Sequence, residues 1–174
     1  PGSSDKTTLS VFLQVFDLLE SYNGAVAFDV SLLALGVTHN SGTGFCQVGV
    51  SSTGQFVGYV STAGGSAQVA GSSGESLVDG YRHHLALVRD GTSLELFLDG
   101  ASFDTDTTGS TAFTILNGTI GYGPSGLSIS SVSRRHDFVV DEPTVWHGVA
   151  LTAAQLLSLS DTRDGWAPES ADER

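Results

Sequence analysis

Apolar and polar residues alternate along most of this chain with a period of two, the spacing that sends successive side chains to opposite faces of a strand. The clearest stretch is D-G-Y-R-H-H-L-A-L-V-R-D-G-T-S-L-E-L-F-L-D-G, from Asp79 to Gly100. It predicts strands over 82–89 and 93–98, joined by Asp90-Gly91-Thr92 and closed by a second Asp99-Gly100 pair. Asp-Gly supplies the positive-φ residue that a tight antiparallel turn needs, so the reading is a β-hairpin. Leu85, Leu87 and Arg89 share one face, with His84, Ala86 and Val88 on the other. Leu94, Leu96 and Leu98 form an apolar stripe opposite Glu95 and Phe97, which makes one face of the hairpin core.

Upstream, residues 9–16 alternate as Leu9, Val11, Leu13 and Val15 against Ser10, Phe12, Gln14 and Phe16. A strand is favoured by the β-branched and aromatic content; a helix competes, because Phe12, Leu13, Phe16 and Leu19 also fit a 3.6-residue period before Asn23-Gly24. Strands follow over 25–30, 32–37, 45–50 and 55–61, the last two forming a hairpin around Ser51-Ser52-Thr53-Gly54. Residues 64–76, rich in Gly and Ser, read as a loop holding a short strand at Gln68-Val69-Ala70, and 101–109 as a polar loop. Residues 112–116 and 118–121 read as strand, turn, strand, with Asn117-Gly118 as the turn rather than a glycosylation acceptor. The last long strand spans 138–146, where Pro143 removes a ladder donor and points to an edge or a bulge. Thr152 and Gln155 form a capping box that starts a short helix over 153–159.

The 79–100 hairpin resembles the hairpin of laminin G-like (concanavalin A-like, pentraxin-related) jelly-roll domains, whose pattern is roughly D-G-x-W-H-H-V-A, a second D-G, then L-x-L-Y-V-D-G. Leu33-Ala34-Leu35-Gly36, Thr119-Ile120-Gly121, Val139 to Trp146 and the closing Leu151 to Leu157 are similar to further segments of that family, in the same order. The resemblance covers about residues 25–159 and implies an all-β, two-sheet antiparallel jelly-roll sandwich with a short C-terminal helix against one edge. One position departs: Arg82 stands where the family has Trp, and Tyr81 is the nearest replacement ring.

With 174 residues and 40% apolar content the chain suffices for one domain: a polar lead-in at 1–8 opening on a Pro-Gly-Ser cloning remnant, a jelly roll at 9–160 and an acidic tail at 161–174. The remnant implies a module excised from a larger protein. A net charge of -12 argues against nucleic acid and anionic membrane surfaces, both of which need a basic patch. No apolar run approaches the roughly 18 residues of a membrane span, and no signal peptide is visible. Cys46 is the sole cysteine; alternating with Val48 and Val50, it reads as a small buried hydrophobe rather than a reactive thiol.

Carboxylate pairs of the polysaccharide-cleaving type need a shared face. Glu95 and Asp99 lie on opposite sides of a turn, and Asp141 and Glu142 are adjacent and diverge, so the chain is expected not to be an enzyme. His83 and His84 diverge likewise, which excludes joint chelation, and His39, His136 and His147 have no metal-ligand spacing. His84 reads as a packed residue with a backbone partner. Asp104 and Asp106, two residues apart before Gly109, are the candidate Ca²⁺ ligands, with Asp90, Asp137 and Asp141 as further carboxylates. The resemblance implies a recognition or adhesion module binding a glycan or surface protein, in an extracellular, cell-surface or virion (phage tail) protein. Tyr59, Tyr81, Tyr122 and Trp166 are the candidate ligand-binding aromatics. The alternative is a structural module for homo-oligomer or virion assembly.

Overall fold

The structure is a computed structural model that describes residues 3–17, 30–36, 45–50, 54–62, 65–70, 76–107, 113–114, 117–120 and 137–161. In chain order the elements are β1 (Ser3–Ser4), β2 (Lys6–Asp17), β3 (Val30–Gly36), β4 (Phe45–Val50), β5 (Phe56–Thr62), β6 (Gly65–Ala70), β7 (Arg82–Asp90), β8 (Ser93–Leu98), β9 (Ala101–Thr107), β10 (Phe113–Thr114), β11 (Asn117–Ile120), β12 (Asp137–His147) and α1 (Ala153–Asp161). They build two five-stranded sheets, ordered β12-β2-β7-β8-β9 and β11-β3-β4-β5-β6, with β1 paired to β10. Every pairing is antiparallel.

The core lies between the sheets. Leu9, Val11, Leu13 and Val15 of β2, Leu85 and Leu87 of β7, and Leu94 and Leu96 of β8 meet Cys46, Val48 and Val50 of β4 and Phe56 and Val60 of β5. The period-two pattern therefore decides the 9–16 stretch against the helix: β2 is flanked by β12 and β7, and its alternate residues enter the core. Arg89 shares that inward face and is fully buried, donating Nη1 to the Ser4 carbonyl at 3.4 Å. Cys46 is buried in the same core, where desolvation pushes its thiol up to about 12, too high for a nucleophile at neutral pH.

Several segments differ from the expected boundaries. Residues 101–107 form the edge strand β9 on β8 rather than a loop, polar because one side of an edge strand meets water. A register shift there tucks Phe103 against the core. Gly65–Ala70 is a full strand paired with β5, longer than the three residues expected. Asn117-Gly118 is no turn: both residues open β11, opposite Gly36 and Leu35. The lead-in joins the fold from Ser3 onward, and Thr7 and Thr8 are buried. Residues 25–29 and 37 of the expected strands lie outside the described residues.

Two expected devices appear at the C-terminal end. Between Asp141 and Thr144 the β12–β2 register shifts, Glu142 takes φ 48°, and Pro143 sits in the resulting bulge at the sheet edge. The Thr152 N–H donates to Gln155 Oε1 at 2.9 Å and the Gln155 N–H to Thr152 Oγ1 at 3.4 Å, closing the capping box of α1. The helix lies on the outer face of the first sheet rather than only along an edge: Leu156, fully buried, packs on Ala86, Val88 and Phe97.

Candidate functional site

Register fixes what the outer face of the first sheet displays. Cross-strand partners share a face, so Val139, Gln14 and Arg82 form one row and Asp141, Phe12 and His84 the next. Ser10, Ala86 and Phe97 follow, where α1 begins to cover the sheet. The uncovered half holds a recess of about 140 Å³ lined by Phe12, Leu13, Gln14, Arg82, Val139 and Asp141.

Several of the lining groups hold one another, and others are held from behind the recess. Arg82 donates Nη2 to Asp141 Oδ2 at 2.7 Å, and its guanidinium carbon sits 4.4 Å above the centre of the Phe12 ring. Stacking and ion pairing together hold a long side chain that would otherwise sample many rotamers. Behind Phe12, at 4.7 Å between centroids, lies the ring of buried His84, whose Nε2 pairs with Ser10 Oγ at 2.6 Å. His84 thus pairs with a hydroxyl and packs on a ring. Gln14 is nearly buried and donates Nε2 to the Gly80 carbonyl at 2.6 Å. Tyr81, 61% exposed, does not stand in for the absent family Trp. Arg82 takes that position itself, using the ring of Phe12 as its platform.

At the start of β7 one imidazole clamps Asp79, which precedes the hairpin, to Asp99 in the turn after β8. His83 Nδ1 pairs with Asp99 Oδ2 at 2.8 Å and Nε2 with Asp79 Oδ2 at 3.1 Å. Asp99, at φ 50°, also accepts the His84 N–H at 2.7 Å. The hydrogen bond to Asp99 raises the His83 pKa most; burial opposes it, and Asp79 adds to the rise. Burial pushes the Asp99 carboxyl up, but the bonds from His83 and the His84 N–H, with the positive imidazole, outweigh it and hold the group below its ordinary value. The raised His83 contributes fully below its unfolded value near 6.5, and that contribution is lost as pH rises through the folded value above it. The depressed Asp99 contributes above about 3.8, lost as pH falls through its folded value. Melting followed from pH 4.5 to 8.5 should therefore show Tm falling by a few degrees above pH 6.5, and His83→Gln should flatten that limb. An unchanged profile in the variant would remove the clamp as its cause.

The residues singled out from sequence are dispersed. Tyr59 is half-buried on β5, and Tyr81 lies next to the recess in sequence without lining it. Tyr122 and Trp166 lie outside the described residues, as do His39 and His136. Asp104 and Asp106 occupy alternate positions of β9, each Oδ1 accepting the next residue's N–H, at 2.9 Å from Thr105 and 2.7 Å from Thr107. Asp90 pairs with Lys6 at 2.8 Å, and the side chain of Asp137 is outside the description. Among the described residues no group of three or more His, Cys, Asp or Glu is placed to hold a metal ion. The Arg82–Phe12–Asp141 assembly was not anticipated. Its one sequence signal is the Arg82 departure, since the neighbours arrive from β2 and β12.

The chain matches, over residues 3–157, the family profile described as the concanavalin A-like lectin/glucanases superfamily. No protein of curated function matches the sequence. Among solved structures it is similar to a carbohydrate-binding module of the Ruminococcus gnavus IT-sialidase bound to α2,6-sialyllactose, with 14% identity and TM-score 0.62 over 91% of this chain and 84% of that one. It is also similar to botulinum neurotoxin type C, whose cell entry depends on two ganglioside molecules, with 10% identity and TM-score 0.61 over 91% of this chain and 36% of the toxin chain. Trypanosoma rangeli sialidase aligns at 17% identity and TM-score 0.59, over 92% of this chain and 23% of that enzyme. The chain therefore spans about a third of the toxin chain and under a quarter of the sialidase chain. At these identities the likeness is one of fold. With its two antiparallel sheets, its hairpin and a match over residues 3–157, the chain belongs to the concanavalin A-like lectin/glucanases superfamily.

Proposed function

We propose that this chain is a non-catalytic carbohydrate-recognition module, part of a larger extracellular, cell-surface or virion protein. The observation that carries the reading is superfamily membership over residues 3–157, joined to a fold shared with a sialyllactose-bound module. Carboxylate chemistry supports recognition over cleavage. Glycosidases set two carboxyl groups about 5 to 9.5 Å apart, one of them a proton donor. Here Asp99 is engaged by His83, Asp141 by Arg82, and Glu95 accepts the Ser102 hydroxyl. Tyr59 and Tyr81, the two described members of the candidate set, could stack on a sugar, and Asp104 and Asp106 are the carboxylates a rim Ca²⁺ would take. A glycan array probed with the full chain, once with Ca²⁺ and once with chelator, should give a restricted set of bound glycans. Signal lost only with chelator assigns the ion a role, and a blank array under both conditions removes the reading.

Assembly without a small ligand is the second reading. It is supported by β12, at one edge of its sheet, where Val139 and Val145 are 45% and 37% exposed. A monomer at high concentration on a sizing column argues against it.

A further inference from the structure

We infer that the recess beside Arg82 is a sugar subsite that takes one neutral pyranose through a pair of vicinal hydroxyls. The inference rests on the carbohydrate-recognition reading and gives it a place and a ligand class. Arg82 and Asp141 set a donor and an acceptor side by side, 2.7 Å apart. A vicinal diol offers the complement: one hydroxyl donates to the carboxylate while its neighbour accepts from the guanidinium. The Asp141 side chain is 54% exposed, so the carboxylate is reachable from solvent. Arg82 is anchored on Phe12 before any ligand arrives, which lowers the ordering cost of binding. Val139, 45% exposed and part of the lining, gives the C–H face of a ring an apolar wall.

Size and charge narrow the class. About 140 Å³ is well below the roughly 300 Å³ at which drug-sized pockets begin, so the recess holds a single ring and any further residues of a glycan extend outward. An acidic sugar is disfavoured because the recess cation is already neutralised by Asp141, in a chain of net charge -12. Backbone strain lies at the same place. Glu142, directly after Asp141, holds φ 48° inside the β12 bulge. A non-glycine residue is strained there, and such strain persists only where the surrounding structure holds it. Asp141 itself keeps its register opposite Phe12, and the bulge begins directly after it.

The test is a two-dimensional ¹H–¹⁵N NMR titration of the full chain with the methyl glycosides of mannose, galactose, glucose and N-acetylneuraminic acid. Wild type is compared with Arg82→Trp, which installs the family's own residue and is expected to fold, and with Asp141→Asn, which keeps the shape and removes the charge. At least one neutral glycoside should move the amide signals of Phe12, Arg82 and Asp141, with affinity falling at least tenfold in both folded variants. Neutral glycoside binding that leaves those signals still and survives both substitutions overturns the recess while sparing the carbohydrate reading. So does silence toward all four glycosides alongside a positive glycan array. Binding of N-acetylneuraminic acid alone overturns the neutral class, whereas a blank array defeats the functional reading itself.

Discussion

Replacing Gly100 by valine should lower the unfolding free energy by about 3 to 5 kcal/mol, a Tm loss on the order of 10 °C for a chain of this length. Two costs add. Gly100 holds φ +80°, where a β-branched residue is strained, and a Cβ built there would lie 2.6 Å from the Leu157 Cα and 2.8 Å from its Cδ1. A backbone atom cannot swing aside as a side-chain tip can, so α1 must lift, taking Leu156 off Ala86, Val88 and Phe97. Gly91 is the internal control. It holds φ +61°, but a Cβ there meets nothing within 4 Å, so Gly91→Ala should cost only the backbone strain, about 1 kcal/mol. Chemical denaturation of both variants measures the difference. Equal losses would mean that the helix does not press on the Asp99-Gly100 turn.

Leu156→Ala should cost about 2 to 5 kcal/mol, the range for emptying a buried leucine site. Leu156 is the buried residue of α1, fully covered, while its neighbour Leu157 is 47% exposed. The patch beneath is shallow and bordered by the partly buried Ala150, Leu151 and Leu159, so partial collapse should hold the value below the upper limit. Urea unfolding with a fixed m-value checks it. A loss under about 1 kcal/mol would show that the helix contributes little to holding the sheet. The helix matters to the ligand account as well, since it covers one half of the outer face and leaves the half containing Arg82 open.

What the sequence discloses and what it hides divide along a physical line. The 82–98 hairpin is readable because its Asp-Gly turns are local chemistry and its alternating leucines enter the core. The helix is readable for the same reason: Thr152 and Gln155 are three residues apart and satisfy each other. The edge strands β6, β9 and β11 are less so. β6, β9 and the start of β11 consist largely of Gly, Ser, Thr, Asn, Ala and Asp, and their extended form comes from the ladders to β5, β8 and β3 rather than from an apolar alternation of their own. The clamp was hidden because Asp99 already had a sufficient explanation as a turn residue, while its link through His83 to Asp79 forms only when the ends of the hairpin meet. The recess was hidden more deeply. Phe12, Arg82 and Asp141 come from three strands, and only the order β12-β2-β7 sets them side by side. Arg82 stood out as a departure from the family pattern, yet a departure does not name its partners.

The central claim is recognition of carbohydrate without cleavage. Calorimetric titration of the full chain with the strongest glycan from the array, followed by mass spectrometry of the recovered glycan after prolonged incubation, tests it directly. Saturable binding at one site per chain with the glycan recovered intact is the expected result. Release of a shortened glycan, or heat that never saturates, would contradict it.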